Sequence, residues 1–192
     1  MKILSIDFDI IMKPSIEAYN NLIDGHQPDK SIGAYCKEFP FFSCLPADLD
    51  IYSVLTKYLK DIPKEKRIFI TDHREAFGVV RDHANGVPVS LINIDHHHDI
   101  AYHECPLTPN AADGNWVKCL YDNNLIQDYT WIRNNNSHMP YDWVQEQFPD
   151  VEYLYFEKEL LNEIKPDLVV ICLSPNWVPK MYYPLYDLWK SI

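Results

Sequence analysis

Three short groups of acidic and imidazole side chains stand out in the sequence: Asp7-Phe8-Asp9, Asp72-His73 and Asp95-His96-His97-His98-Asp99. Carboxylates and imidazoles are the donors of divalent-metal sites, and no thiol lies among them. In an extended chain alternate side chains share a face. Asp7 and Asp9 are therefore expected to point one way, with Phe8 opposite. By the same rule Asp95, His97 and Asp99 converge while His96 and His98 turn aside, one packing inward and one facing solvent. With His73, the set holds four carboxylates and two imidazoles. Four anions this close cannot all stay ionised without a compensating cation. Two divalent ions would supply the charge, and an oxygen-rich set without sulfur suits Mn²⁺ best, ahead of Fe²⁺, Co²⁺ or Zn²⁺. A bridging aspartate can hold two such ions about 3.5–4 Å apart. Alone, a D-x-D pair reads equally well as a solvated turn, and His73 as a helix-opening residue. The concurrence of three groups is what points to a metal centre.

The elements that must position these residues are legible in the apolar runs. Residues 2–6 run into Asp7, 67–70 into Thr71-Asp72, 90–94 into Asp95, and 167–173 into Ser174-Pro175-Asn176. Their near-continuous Val/Ile/Leu content predicts strands covered on both faces. Residues 129–132 and 151–156 are weaker strand candidates. Helical spacing of apolar residues alternates with the strands. It occurs over 14–25, where Gly25 is a natural stop, and over 48–59 through Leu49, Tyr52, Leu55 and Leu59. Shorter patterns lie at 75–83, 116–121 and 157–164. This β-α alternation predicts a three-layer α/β/α domain on an open, mostly parallel sheet. In such sheets ligands bind beyond the carboxyl ends of the strands, where all three groups fall. The segment 24–44, rich in aromatics and proline, reads as an irregular insertion or lid on a single domain spanning 1–192.

Composition narrows the function classes. Asp and Glu number 28 against 17 Lys and Arg, a formal charge of −11 that disfavours nucleic-acid phosphates and anionic lipids as partners. The same charge attracts metal ions, amines and guanidinium groups. No apolar run approaches the roughly 20 residues of a membrane helix. The start resembles a signal peptide for four residues and then meets Asp7. Cys36, Cys44, Cys105, Cys119 and Cys172 are odd in number and scattered. A disulfide framework and a thiolate zinc site are not expected, and a reducing cytoplasm is the expected setting. Only five glycines are present, and none forms a phosphate-cradling loop.

The stretch Ile94-Asp95-His96-His97-His98-Asp99-Ile100 resembles the D-x-H-x-D metal motif of the ureohydrolases, the arginase and agmatinase superfamily. Asp72-His73 resembles their upstream histidine ligand, one strand earlier. Asp7-Phe8-Asp9 resembles their D-x-D motif, placed here at the N-terminal end as if the chain were circularly permuted. That order, the short length and Leu173-Ser174-Pro175 are similar to the compact arginase-like family that includes peptide arginases. The resemblance implies an arginase-like fold and a dimanganese hydrolase that converts arginine residues of a ribosomally made precursor peptide to ornithine, releasing urea. Carried over by position, it implies that His73, Asp95, Asp99 and Asp7 hold one manganese. His97, Asp95, Asp7 and Asp9 would hold the other, with Asp95 and Asp7 bridging and Asp95, Asp7 and His97 forming the catalytic group. Asp72 is expected to orient a ligand.

The guanidinium needs a grip, and a carboxylate offering paired hydrogen bonds would suit it. Arginases use a late-strand glutamate, where this chain has Ser174-Pro175-Asn176. Asn176 is thus the nearest substrate-binding candidate, with Glu75, Glu104 and Asp113 as alternatives. Asn115 is expected either to contact substrate or to cap the helix before Trp116. His103 is either a proton shuttle or a surface histidine. Tyr182, Tyr183, Tyr186 and Trp189 could line a peptide groove, though packing in the core or between the subunits of a homo-oligomer is the commoner use of such residues. The rival readings are a ureohydrolase of a free small guanidine, a mononuclear-zinc deacetylase-like enzyme, and a metal-stabilised module that binds a peptide without cutting it.

Overall fold

The computed structural model describes residues 1–13, 46–101, 110–135, 137 and 139–192. Six strands form one sheet: β1 (Lys2–Asp7), β2 (Arg67–Ile70), β3 (Val89–Ile94), β4 (Ile126–Arg133), β5 (Glu152–Tyr155) and β6 (Leu168–Cys172). Their order is β2-β6-β1-β3-β4-β5, and every pairing is parallel. The central strands β1 and β6 are buried almost throughout, which is why they read as near-continuous apolar runs. The edge strand β5 keeps Glu152 and Tyr155 in solvent. That mixed composition explains its weaker signal.

The helices are α1 (Leu49–Lys60), α2 (Glu75–Ala84), α3 (Trp116–Asp122), α4 (Asp142–Gln147), α5 (Leu160–Glu163) and α6 (Tyr183–Ser191). α1 starts where the Asp48 carboxylate accepts the N–H groups of Asp50 and Ile51, at 3.1 and 3.0 Å, satisfying donors that the first turn leaves free. One face of the sheet packs Leu4, Ile6 and Ile171 against Leu55 and Leu59 of α1, Leu161 of α5, and Tyr186 and Trp189 of α6. The other face packs Ile3, Leu91 and Val170 against Ala76 and Val80 of α2, Trp116 and Leu120 of α3, and Val144 of α4. The result is three layers, α/β/α. α1 and α5 lie in connections that run one way across the sheet, and α2, α3 and α4 in those that run the other. A single crossover hand puts the two sets on opposite faces, as observed.

The structure departs from the sequence reading in three places. α5 spans Leu160–Glu163 rather than all of 157–164, because the chain turns extended at Ile164 and Lys165 precedes Pro166. α4 and α6 were not expected as helices. The aromatics of α6 serve the core: Tyr186 and Trp189 are buried, with Tyr182 and Tyr183 packed against them. The stretches 14–25 and 24–44, and Cys36, Cys44, His103, Glu104 and Cys105, lie outside the described residues. No helix among the described residues is long and apolar enough to cross a membrane.

Candidate metal centre

The three acidic and histidine groups meet at the C-terminal edge of the sheet, but not on extended strands. β1 stops at Asp7, whose Oδ1 accepts the N–H of Asp9 at 3.1 Å, and Phe8–Ile11 form a 3₁₀ turn. Phe8 plugs the core edge-on to Trp189, with ring centroids 5.0 Å apart. Past β3, Asp95 Oδ1 accepts the N–H of His97 at 2.9 Å, and Asp99 has a left-handed backbone, φ 51°. Aspartates that bond their own downstream N–H bend the chain, so convergence comes from turns and not from the strand pleat. His73 sits in the turn between β2 and α2.

His73 Nδ1 lies 3.1 Å from Asp7 Oδ2, 3.2 Å from Asp95 Oδ2 and 2.9 Å from Asp99 Oδ2. One ring nitrogen carries at most one proton, so these three approaches cannot all be hydrogen bonds. They do match the edges of an octahedron, which are about 3.0 Å when each donor is about 2.1 Å from a central cation. On the neighbouring side His97 Nδ1 lies 3.0 Å from Asp9 Oδ2 and 3.7 Å from Asp95 Oδ1. Asp9 Oδ2 is buried, and the imidazole of His97 is the partner it faces. Two donor triads result, Asp7-His73-Asp95 and Asp9-Asp95-His97, with the donor atoms of each within 4.8 Å of one another. Asp95 belongs to both through different oxygens. Asp7 belongs to the first alone. The donor set therefore fits divalent cations: these are buried Asp/His clusters able to hold a metal ion.

Neighbours that the sequence reading missed hold the donors in place. Ser5 Oγ meets His73 Nε2 at 3.0 Å, which turns Nδ1 toward the carboxylates. Ser174 Oγ donates to Asp7 Oδ2 at 2.5 Å, Trp116 Nε1 to Asp99 Oδ2 at 2.6 Å, and Asn93 Nδ2 to Asp95 Oδ2 at 3.0 Å. Ser174, like Asp99, adopts a positive φ of 50°, a conformation that costs a non-glycine residue energy and concentrates at functional sites. Ser5 and Asn93 left a sequence signal: each is a polar break in a buried strand, and the two are register partners across β1 and β3.

The remaining candidates are placed as follows. Asp72 does not orient a ligand; its carboxylate pairs with Arg74 at 2.6 Å and shares a hydrogen bond with Asp113. Glu75 Oε1 accepts the N–H groups of Thr71 and Asp72, at 3.2 and 2.8 Å, closing the turn before α2. Asn115 stands at the N-cap position of α3, yet its side chain reaches back, its Oδ1 accepting Ala112 N–H at 2.7 Å. Asn176 is exposed in the turn after β6. His96 and His98 are both buried, against the expectation that one faces solvent. His98 Nδ1 accepts Ile100 N–H at 3.1 Å, and Ser137 Oγ lies 3.3 Å from His96 Nδ1.

No protein-family model, no curated protein and no solved structure matches this chain. The site's own electrostatics carry the rest. Burial, aided by the charges of Asp7 and Asp95, pushes the Asp9 carboxyl up to about 8. Burial and Asp95 likewise raise Asp99 well above the usual carboxylate range. For Asp95 burial pulls upward too, but the hydrogen bonds of His73 and His97 outweigh it and hold it well below. Burial opposes charge on His73 and His97, and the surrounding aspartates overcome it, raising both imidazoles. Without a metal, then, protons neutralise the cluster. Outside it, burial pushes His98 down to about 3, and burial together with Asp72 raises Asp113 to about 7.

Proposed function

We propose that this chain is a dimanganese, arginase-like hydrolase that removes urea from arginine residues of a peptide, leaving ornithine. The observation that carries the reading is the pair of buried donor triads sharing Asp95. The motif resemblance to ureohydrolases and the −11 charge, which draws in cationic substrates, support it. The ions would supply Lewis acidity and an activated water beside the guanidinium.

The chain's own residues do the rest. Asp95 offers one oxygen to each triad and so sets their spacing. Ser5, Ser174, Trp116 and Asn93 fix four of the donors by hydrogen bonds, which keeps the constellation ordered before substrate arrives. Burial of the cluster lowers the local dielectric and strengthens every charge interaction within it. In the reaction water adds to the central guanidinium carbon, the carbon–nitrogen bond to the side chain breaks, and the leaving amine takes a proton. Urea and an ornithine side chain result.

The test is urea release after reconstitution with Mn²⁺, from arginine-containing peptides and from free arginine and agmatine, with Asp95→Ala as control. Metal-dependent urea from peptides alone is expected. Turnover of the small guanidines instead would make the enzyme a ureohydrolase of free substrates. No urea from any of them, with metal bound, would sink the proposed reaction.

A further inference from the structure

The four-residue turn that follows β6 ties two things together. Ser174 Oγ holds Asp7 of the first triad, and the N–H of Trp177 closes the turn on Ser174 O at 2.9 Å. The turn delivers the Trp177 indole to the second triad, its centroid 4.7 Å from that of His97 and its plane tilted by 46°. Trp177 is only partly buried. The indole N–H groups of Trp116, Trp131 and Trp189 all donate to protein acceptors, whereas that of Trp177 has none among the described residues. The ring thus lines the site while resting partly against the core.

A hydrolase of guanidinium groups must hold a planar cation beside the metal centre. The described carboxylates nearest in sequence to the site are otherwise engaged: Glu75 on the turn backbone, and Asp72 and Asp113 with each other and Arg74. An indole face is the strongest aromatic partner for a cation, and a guanidinium stacks flat on it where an ammonium cannot.

We infer that Trp177 is the platform on which the substrate guanidinium stacks, a specificity-determining residue that selects arginine over lysine side chains. This rests on the proposed guanidinium hydrolysis. The alternative role for the ring, propping His97, makes different demands, because it would act on metal affinity and not on substrate affinity.

The experiment compares Mn²⁺-loaded wild type, Trp177→Phe and Trp177→Leu on one arginine-containing peptide, measuring KM and kcat for urea and Mn²⁺ affinity by calorimetry. Leucine removes the π face, and phenylalanine keeps one. For Trp177→Leu a roughly tenfold or greater rise in KM is expected, with Mn²⁺ affinity unchanged and most of the defect rescued in Trp177→Phe. A loss of Mn²⁺ affinity, or an unchanged KM in Trp177→Leu, overturns the inference. If wild type releases no urea, the proposed reaction fails separately. Equilibrium binding of the same peptide and its lysine counterpart to the metal-loaded chain then decides about Trp177. Arginine-selective binding that is lost in Trp177→Leu and kept in Trp177→Phe supports the platform, and any other pattern overturns it.

Discussion

At the scale of single residues, the site depends on small polar side chains as much as on its carboxylates. Ser174 is the sharpest case: a left-handed residue whose hydroxyl approaches Asp7 Oδ2 at 2.5 Å. Ser174→Ala removes that donor, and Mn²⁺ affinity is expected to fall roughly 10–100-fold with the fold intact, as calorimetry on the purified variant would report. Affinity equal to wild type would mean that Asp7 needs no such partner. The ligand candidates themselves were readable because acids and histidines directly after apolar strands are chemically conspicuous. Ser174, Trp116 and Trp177 were not, since nothing in a serine or tryptophan reveals what it will touch once turns and helices assemble. Asn176 stands where the resemblance to arginases places a glutamate, but the turn exposes it and brings the indole of Trp177 to His97 instead.

At the scale of elements, the sheet carries the donors on its rim, and the helices hold the sheet. Leu55 on α1 is buried among residues of β1, β6 and α6. Leu55→Ala is expected to lower folding stability by about 2–5 kcal/mol while leaving metal stoichiometry unchanged, read from urea denaturation and metal analysis of the same preparation. A change in stoichiometry would show that α1 shapes the site directly. The four strands with near-continuous apolar runs were legible from hydrophobic pattern alone. β4 and β5 were fainter because their solvent-facing positions, Gln127, Asp128, Glu152 and Tyr155, interrupt the pattern. α6 escaped notice because its core-facing residues are tyrosine and tryptophan rather than aliphatic, a composition that suits a binding groove equally well. The turns that bend Asp7–Asp9 and Asp95–Asp99 inward lie beyond what strand periodicity can express, so the candidate residues converge by a different geometry from the strand pleat the sequence suggests.

At the scale of the whole molecule, the buried cluster couples metal, protons and folding. Asp9 holds its proton up to about 8 in the folded chain, against an ordinary value of 3.8. Across that interval the folded state binds a proton that the unfolded state has released, so the metal-free chain loses stability as pH rises. His73 and His97, both raised, act in the same sense: their contribution is complete below about 6.5 and fades as pH climbs through their folded values. Asp95, held low, contributes throughout and loses its effect only in strong acid. The metal-free protein is therefore expected to melt at progressively lower temperature from pH 6 to pH 8, and saturating Mn²⁺ to abolish or reverse that trend by displacing the protons. Melting curves at matched ionic strength would test this; a metal-free chain that gains stability over the same range would contradict it.

The most direct single measurement is a Mn²⁺ titration of the 192-residue chain, followed by calorimetry with parallel electron paramagnetic resonance. Two ions per chain are expected, with proton release on binding and a spin-coupled signal from ions bridged by Asp95. A folded chain that binds one ion, or none, would contradict the shared-aspartate centre on which the proposed hydrolysis depends.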